Sequence, residues 1–434
     1  MVLAKGAAPP SSATVQGGAE LRAFVFALFF IFGGLTSLND VLIPKLKHLF
    51  SLSYAEVMLV QSAFFIGYLV VSIPAGFLVT RLGYMRSAVV GLVTMALGCL
   101  LFLPAAQSSL FVAFLGALFV VAAGITIVQV VANPLISILG PPSTASSRLT
   151  FAQAFNSLGT TVFPYFGAAL ILGSLASVDE ASLSSAALKA FRAREAAVVS
   201  HTYIGLATAL AVIAAIVWSM RSRLRENRVD ASNPLEALDL LSNPLFAFGM
   251  LCIFLYVGAE VAIGGLLSNY LMQANTLRLD AQSAGKHLAY YWGGAMVGRF
   301  IGAGVLRLAT PGKVLAGAAT MALILLGVSV GTVGLISGWS LLAVGLVNSI
   351  MFPTIFSLAN HRLGDRTAEG SGLICVAIVG GALVPPLTGY VADLGGLSIA
   401  LAVPAVCYLV IAAFGAWSAR AGGSDEVQPV TVSQ

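Results

Sequence analysis

Charge is what this chain has least of. Of its 434 residues, 22 are Lys or Arg and 17 are Asp or Glu, 9% together, against 59% hydrophobic. Soluble domains carry about a quarter charged residues, so a surface bathed in water on all sides is excluded. Cysteine is scarce too. Cys99, Cys252, Cys375 and Cys407 fall in separate apolar stretches without metal-ligand spacing, which reads as reduced packing residues and excludes a disulfide scaffold or a zinc site. The first twenty residues lack the charged start and apolar core of a secretion signal. An HExxH zinc helix and a membrane-embedded pair of aspartates are both missing, the one Gly–Asp step being Gly364–Asp365 in a polar loop. Gly312–Lys313–Val314 lacks the upstream Gly and the following Ser/Thr of a phosphate-binding loop. The reading is therefore neither an enzyme nor a primary pump, with no bound cofactor. The formal net charge of +5 is no nucleic-acid footprint, because the basic residues sit in loops mostly on one side.

What the chain has instead is apolar runs of about twenty residues, the length of helix that crosses a hydrocarbon core roughly 30 Å thick. They fall near 23–44, 56–79, 87–104, 110–138, 149–173, 202–220, 245–272, 286–306, 314–336, 340–359, 371–391 and 398–418. Twelve spans are predicted, in an all-α membrane protein embedded in a lipid bilayer. With the N-terminus inside, fourteen of the 22 basic residues lie on the inner side, seven on the outer, and Arg299 within a span. That bias predicts both termini in the cytoplasm.

The polar stretch 221–243 (RSRLRENRVDASNPLEALDLLSN) divides the spans six and six, giving bundles over 1–220 and 244–434 joined by a cytoplasmic linker. The halves echo each other: Gly76 and Arg81 recur as Gly302 and Arg307, Pro134 as Pro353, and Pro164 as Pro385. The common order and similar offsets predict two pseudo-symmetric six-helix repeats around a central cavity. Asp40 in the first span and Glu260 in the seventh occupy nearly equivalent places in those repeats. An acid at bilayer depth costs about 2.5–3.5 kcal/mol on insertion scales, so both are candidates for loading a cation.

A second constellation is made of amides. Gln129 and Asn133 are four residues apart, and Gln153 and Asn156 three apart, each pair on one helix face. Amides offer donors and acceptors together, which suits a neutral polyol, although interhelical hydrogen bonding uses the same groups. Trp292, inside the start of the eighth span, offers a ring for a sugar's apolar face. Asn348 is expected to face the cavity as well. Arg299 must find a partner, a carboxylate being the first expectation. Gly294, Gly298 and Gly302 make a smooth stripe for close helix approach.

At these residues the chain resembles a known family. The six-plus-six layout with GFLVTRLGYMR (76–86) after the second span resembles the major facilitator superfamily, whose cytoplasmic motif has an Asp where Thr80 stands; Gly76, Arg81, Gly83 and Arg86 fit. Further stretches resemble its fucose permease-like branch and, within it, the glucose/galactose permeases. They are SLNDVLIPKL (37–46), IVQVVANPLISILGP (127–141), LTFAQAFNSLGTTVFP (149–164), YVGAEVAIGGLLSNYL (256–271), AYYWGGAMVGRFIG (289–302), NSIMFPTIFSLA (348–359) and GSGLICVAIVGGALVPPLTG (370–389). The resemblance implies a monomeric secondary carrier importing a small-molecule sugar of the glucose/galactose type by cation symport and alternating access. It implies that Asp40 is the proton-linked acid of the first span, that Gln153 and Asn156 contact sugar, and that Arg81 and Arg86 belong to a cytoplasmic gate. The fucose–proton members carry a Glu where Gln129 stands, which argues against fucose and makes Glu260 the second acid. A proton is the preferred ion and sodium the alternative. The competing readings are an efflux pump for apolar drugs, or a symporter for N-acetylglucosamine or fucose.

Overall fold

A computed structural model describes residues 18–50, 54–108, 110–167, 184–221, 234–279, 281–361 and 363–423. In order the helices are α1 (Gly18–Phe50), α2 (Tyr54–Leu82), α3 (Tyr84–Ser108), α4 (Phe111–Ile138), α5 (Ala145–Gly167) and α6 (Ser185–Ser219). They continue as α7 (Pro244–Met272), α8 (Ala281–Leu308), α9 (Pro311–Gly331), α10 (Gly334–Asn348), α11 (Met351–Ala359), α12 (Thr367–Val376), α13 (Gly380–Gly395), α14 (Leu397–Ala400) and α15 (Ala402–Gly423). Among the described residues there are no strands, as expected of segments that must satisfy every backbone N–H and C=O internally. Large apolar side chains stay exposed along the outer helix faces, for example Leu97, Leu101, Val212, Ile216, Ile324 and Leu409. In water such a belt would drive aggregation; against lipid it is the matching surface.

Over the described residues each of the twelve expected spans contains helix, with α10 and α11 sharing one span, and α12 and α13 another. The expected span 314–336 crosses the break between α9 and α10, and residues 168–173 of the fifth lie outside the described residues. Among the described residues ten of these helical segments are long and apolar enough to cross a membrane. Over their described residues α5 and α8 fall short of that measure; they are the most polar of the spans, and they pack against each other. They carry Gln153, Asn156 and Ser157 on one side, Trp292 and Arg299 on the other. The hydropathy deficit marks the helices that hold the polar interior.

Three local features depart from the simple reading. The stretch 174–200 between the fifth and sixth expected spans is helical from Ser185, because AALKAFRAREAA is built of strong helix formers and prolongs α6 at its N-terminal end; residues 174–183 lie outside the described residues. Residues 340–359 break between α10 and α11, at the turn over Ser349 and Ile350 ahead of Pro353. The linker expected over 221–243 forms a 3₁₀ helix over Pro234–Ser242, and the next helix starts on the signal Asn243–Pro244. There the Asn243 side chain accepts from the Leu245 N–H at 3.0 Å, and Pro244 takes the first turn. Residues 222–233 of the linker lie outside the described residues.

Helices of the first six spans pack among themselves (α3 on α4 and α6, α1 on α5, α2 on α4), and so do those of the last six (α7 on α13 and α15, α8 and α9 on α10, α9 on α15). Contacts between the two groups run through α5 with α8 and α11, and through α12 with α2 and α4. Their side-chain hydrogen bonds gather toward the end of the bundle where α1 begins. Ser146 bonds Ser357 at 2.9 Å, Ser147 donates to the Ala303 carbonyl at 2.6 Å, and Arg307 Nε donates to Ser147 Oγ at 3.3 Å. Gly372 sits against the Ser72 carbonyl and Gly76 Cα, leaving no room for a Cβ. At this end the two groups of helices are closed on each other.

The 3₁₀ segment over Pro234–Ser242 covers the same end, against α2, α7 and α12. Arg366 grips it: its guanidinium donates to Asp239 Oδ1 and Oδ2 at 2.7 and 2.9 Å, to Glu369 Oε2 at 2.7 Å and to the Glu236 carbonyl at 3.3 Å. The hydrogen bonds from Arg366 hold the Asp239 carboxyl below its ordinary range, and Asp239 in turn raises the guanidinium. A carboxyl lowered in the folded state contributes its tie above the unfolded carboxylate range and loses it as pH falls through the folded value. The Asp239 side chain is 63% exposed, so water and salt screen the pair. Protection of the amides over 234–242 from hydrogen exchange, relative to the free-chain rate at the same pH, is therefore expected to fall below about pH 4, and to be reduced at pH 7 in Asp239→Asn. Unchanged exchange in that variant would show that apolar packing alone holds the segment.

Candidate functional site

The amides of α4 and α5 meet as the helix faces require. Gln129, buried, accepts at Oε1 from the Tyr68 hydroxyl of α2 at 2.8 Å. One turn on, Asn133 Oδ1 lies 3.5 Å from Gln153 Nε2, at the long limit of a hydrogen bond, while Asn133 Nδ2 has no partner. Asn156 donates to the Phe29 carbonyl of α1 at 3.4 Å, and Gly33 of α1 lies so close to it that a Cβ would collide with its amide. Arg148 fixes the turn between the two amide-bearing helices, donating to the Ile136 and Pro141 carbonyls at 3.2 and 2.8 Å and to Ser137 O. A cation at the C-terminus of α4 also complements its dipole.

Proline positions explain two further contacts. Pro134 has no N–H for the Val130 carbonyl four residues earlier, and Pro353 leaves the Ser349 carbonyl likewise free. Ser371 of α12 donates to Val130 O at 3.0 Å, and Arg299 Nε donates to Ser349 O at 3.3 Å. The backbone freed by Pro134 is thus satisfied by Ser371 from the other group of helices, and Asn133 is not used for it.

Arg299 does more. Its Nη1 donates to the Gln153 carbonyl at 3.1 Å and to the Ser157 hydroxyl, so one side chain of α8 joins the turn after α10 to α5. It also lies within electrostatic range of Glu260. The carboxylate expected as its partner is therefore a neighbour, while its direct bonds go to two carbonyls and a hydroxyl.

Glu260, in α7, is ringed by phenols. The Tyr256 hydroxyl, one turn back on the same face, donates to its Oε1 at 2.7 Å. Tyr291 of α8 and Tyr408 of α15 are wholly buried nearby, and the Asn348 amide donates to the Tyr291 oxygen at 3.0 Å. Trp292 packs its ring edge toward Gly264, one turn beyond Glu260, and remains 44% exposed. The Asp40 side chain lies outside the described residues; its backbone belongs to α1.

The structure thus draws the expected residues into two clusters, amides around α4 and α5 and an acid among phenols in α7, with Arg299 between them. Arg81 and Arg86 lie apart from both. Arg81 lies over the Phe77 ring at 4.4 Å, and Arg86 is exposed, on either side of the tight turn at Gly83, whose φ of 83° favours glycine. Thr80 spends its hydroxyl on the Phe77 carbonyl at 2.8 Å, so this turn has no acid to pair with. Sequence reasoning does not single out Tyr68, Tyr256, Tyr408, Ser157 or Ser371, and it takes Tyr291 only as one of the aromatics that open the eighth span. Two of them carried a signal: Tyr256 stands four residues before Glu260, and Ser157 four after Gln153, on the same helix faces. Among the described residues no group of three His, Cys, Asp or Glu could hold a metal ion.

Known proteins are similar to this chain in sequence and fold. The glucose/galactose transporter of Brucella abortus is 50% identical over 389 residues, 89% of this chain and 91% of its own. The crystal structure of the Escherichia coli fucose:proton symporter superposes with a TM-score of 0.84 at 31% identity, covering 93% of this chain and 99% of that one. A structure of that transporter in the outward conformation matches at 0.83 and 32%, over 92% and 98%. Residues 24–378 match the family described as the Major Facilitator Superfamily. By that match, and by identity over nearly its whole length, the chain belongs to the Major Facilitator Superfamily.

Proposed function

We propose that the protein imports a hexose of the glucose/galactose type by proton symport across a bacterial inner membrane, as a monomer with both termini in the cytoplasm. The observation that supports this best is the pairing of two clusters, amides in one half and a phenol-ringed acid in the other, bridged by Arg299. The 50% identity to a glucose/galactose transporter supports the substrate class, and the likeness to a fucose:proton symporter supports the proton. Sodium is the alternative ion.

In this reading the bundles over 1–220 and 244–434 rock about the central site, and the closed end is cytoplasmic, so the conformation faces outward. Gln129, Asn133, Gln153 and Asn156 receive sugar hydroxyls in the N-terminal half; Asn133 Nδ2, buried without a partner, is the donor with most to gain. Trp292 stacks on the sugar ring, and Asn348 was expected to join it. Asp40 and Glu260 take up the proton. A bare carboxylate resists enclosure in a medium of low dielectric, so closure around the site is favoured once the acids are neutral. Arg81 and Arg86 act at the cytoplasmic gate, with the Arg366–Asp239 tie beside them in place of the acid that Thr80 replaces.

Thermal unfolding of the purified protein tests the substrate class. A ligand at 100 times its dissociation constant stabilises by about 2.7 kcal/mol, so millimolar glucose or galactose is expected to raise the melting temperature while ethidium does not. Stabilisation by ethidium-like cations and by no hexose would overturn the reading in favour of drug efflux.

A further inference from the structure

Asn348, Tyr291 and Tyr408 come from α10, α8 and α15 and meet in a place with no exposure. The Asn348 amide nitrogen gives a hydrogen to the Tyr291 oxygen at 3.0 Å, which leaves the Tyr291 proton free to be given elsewhere. Asn348 Oδ1 and the Tyr408 hydroxyl each lack a partner, and the Tyr408 hydroxyl lies beside the Asn348 amide. One is an acceptor and the other carries a proton, so a small approach joins them. Both phenols are in electrostatic range of Glu260, which already holds the Tyr256 hydroxyl at 2.7 Å. Buried polar groups of this kind stand only when their partners are supplied, and Glu260 is the nearby group that takes protons.

We propose that Tyr291, Asn348 and Tyr408 are positioning residues for Glu260: a buried relay from α15 through α10 to α8 that aims a second phenol at the acid and so sets how tightly it holds the co-transported cation. The proposal rests on the symport reading above. It moves Asn348 from sugar contact to ion coupling, because its side chain is fully enclosed whereas the neighbouring Trp292 ring is open. The other ionisable groups around Glu260 are few. Its own helix supplies Tyr256, and α8 supplies Arg299 in addition to Tyr291. The α13 helix carries Tyr390 and Asp393, both exposed, and the α10 and α11 segments bring none.

The test is the pH profile of gradient-driven glucose uptake in proteoliposomes, beside the glucose KM, for wild type, Tyr408→Phe and Tyr291→Phe. Donors favour the charged carboxylate, so losing one lets the acid keep its proton to higher pH; the midpoint is expected to rise by roughly half a unit or more, with KM within about twofold. An unmoved midpoint overturns the relay, and so does a tenfold higher KM at an unmoved midpoint, which would mark sugar contact instead. Tyr408→Phe removes one hydroxyl at the far end of the relay and decides the matter if Tyr291→Phe does not fold. Absence of hexose uptake in the wild type is a separate outcome, and removes the symport reading itself.

Discussion

Replacing Glu260 with Gln is expected to lower gradient-driven hexose accumulation more than tenfold, a loss of about 1.4 kcal/mol or more in coupling. The amide keeps the shape of the acid and can still accept the Tyr256 hydrogen bond, which spans 2.7 Å in the native chain. What it cannot do is change charge. Closure around the site would then no longer depend on the cation, and the carrier would equilibrate sugar instead of concentrating it. Uptake into proteoliposomes under an imposed proton gradient measures this. Wild-type accumulation in Glu260→Gln, alone and combined with Asp40→Asn, would remove both acids from the mechanism.

The second large effect is expected at Arg299. Its guanidinium serves the Ser349 carbonyl that Pro353 leaves free, the Gln153 carbonyl and Ser157, and stands near the Glu260 charge. Leaving a buried carbonyl unpaired costs about 1–3 kcal/mol, and the half-buried Glu260 also loses a neighbouring opposite charge. Arg299→Leu is therefore expected to reduce transport by about a hundredfold and to lower the melting temperature. Arg299→Lys keeps the charge but not the planar fork that reaches several acceptors, so it is expected to recover only part of the loss. In a double-mutant cycle, adding Glu260→Leu to Arg299→Leu should restore stability, because no lone charge remains, without restoring accumulation. Simple additivity of the two stability losses would show that the residues act separately.

These expectations rest on features that differ in how plainly the sequence announces them. Twelve helical segments were legible from apolar run length, and even the polar α5 and α8 were found, because their amides and Arg299 interrupt otherwise apolar surroundings. The pairing of Gln129 with Asn133 and of Gln153 with Asn156 was legible from helical spacing. So was the near-equivalence of Pro134 and Pro353, and each does free a carbonyl that a side chain then takes. Which side chain takes it was not legible. Ser371 reaches Val130 from 241 positions away, and only the packing of α12 against α4 brings them together. The phenols around Glu260 were hidden for a different reason: tyrosine in a span is ordinarily an interfacial anchor or core filler, and only burial at Asn348 shows otherwise. The helical extension of α6 was not legible from apolar run length, because its charged residues end the apolar run while its alanines continue the helix.

The most direct measurement is uptake of radiolabelled glucose by the purified protein in proteoliposomes, under a proton gradient and, in parallel, a sodium gradient. Accumulation driven by the proton gradient alone, collapsed by a protonophore and competed by galactose, is the predicted result. No accumulation of either sugar under either gradient would contradict hexose symport, and would leave the two clusters and their arginine bridge to serve another substrate.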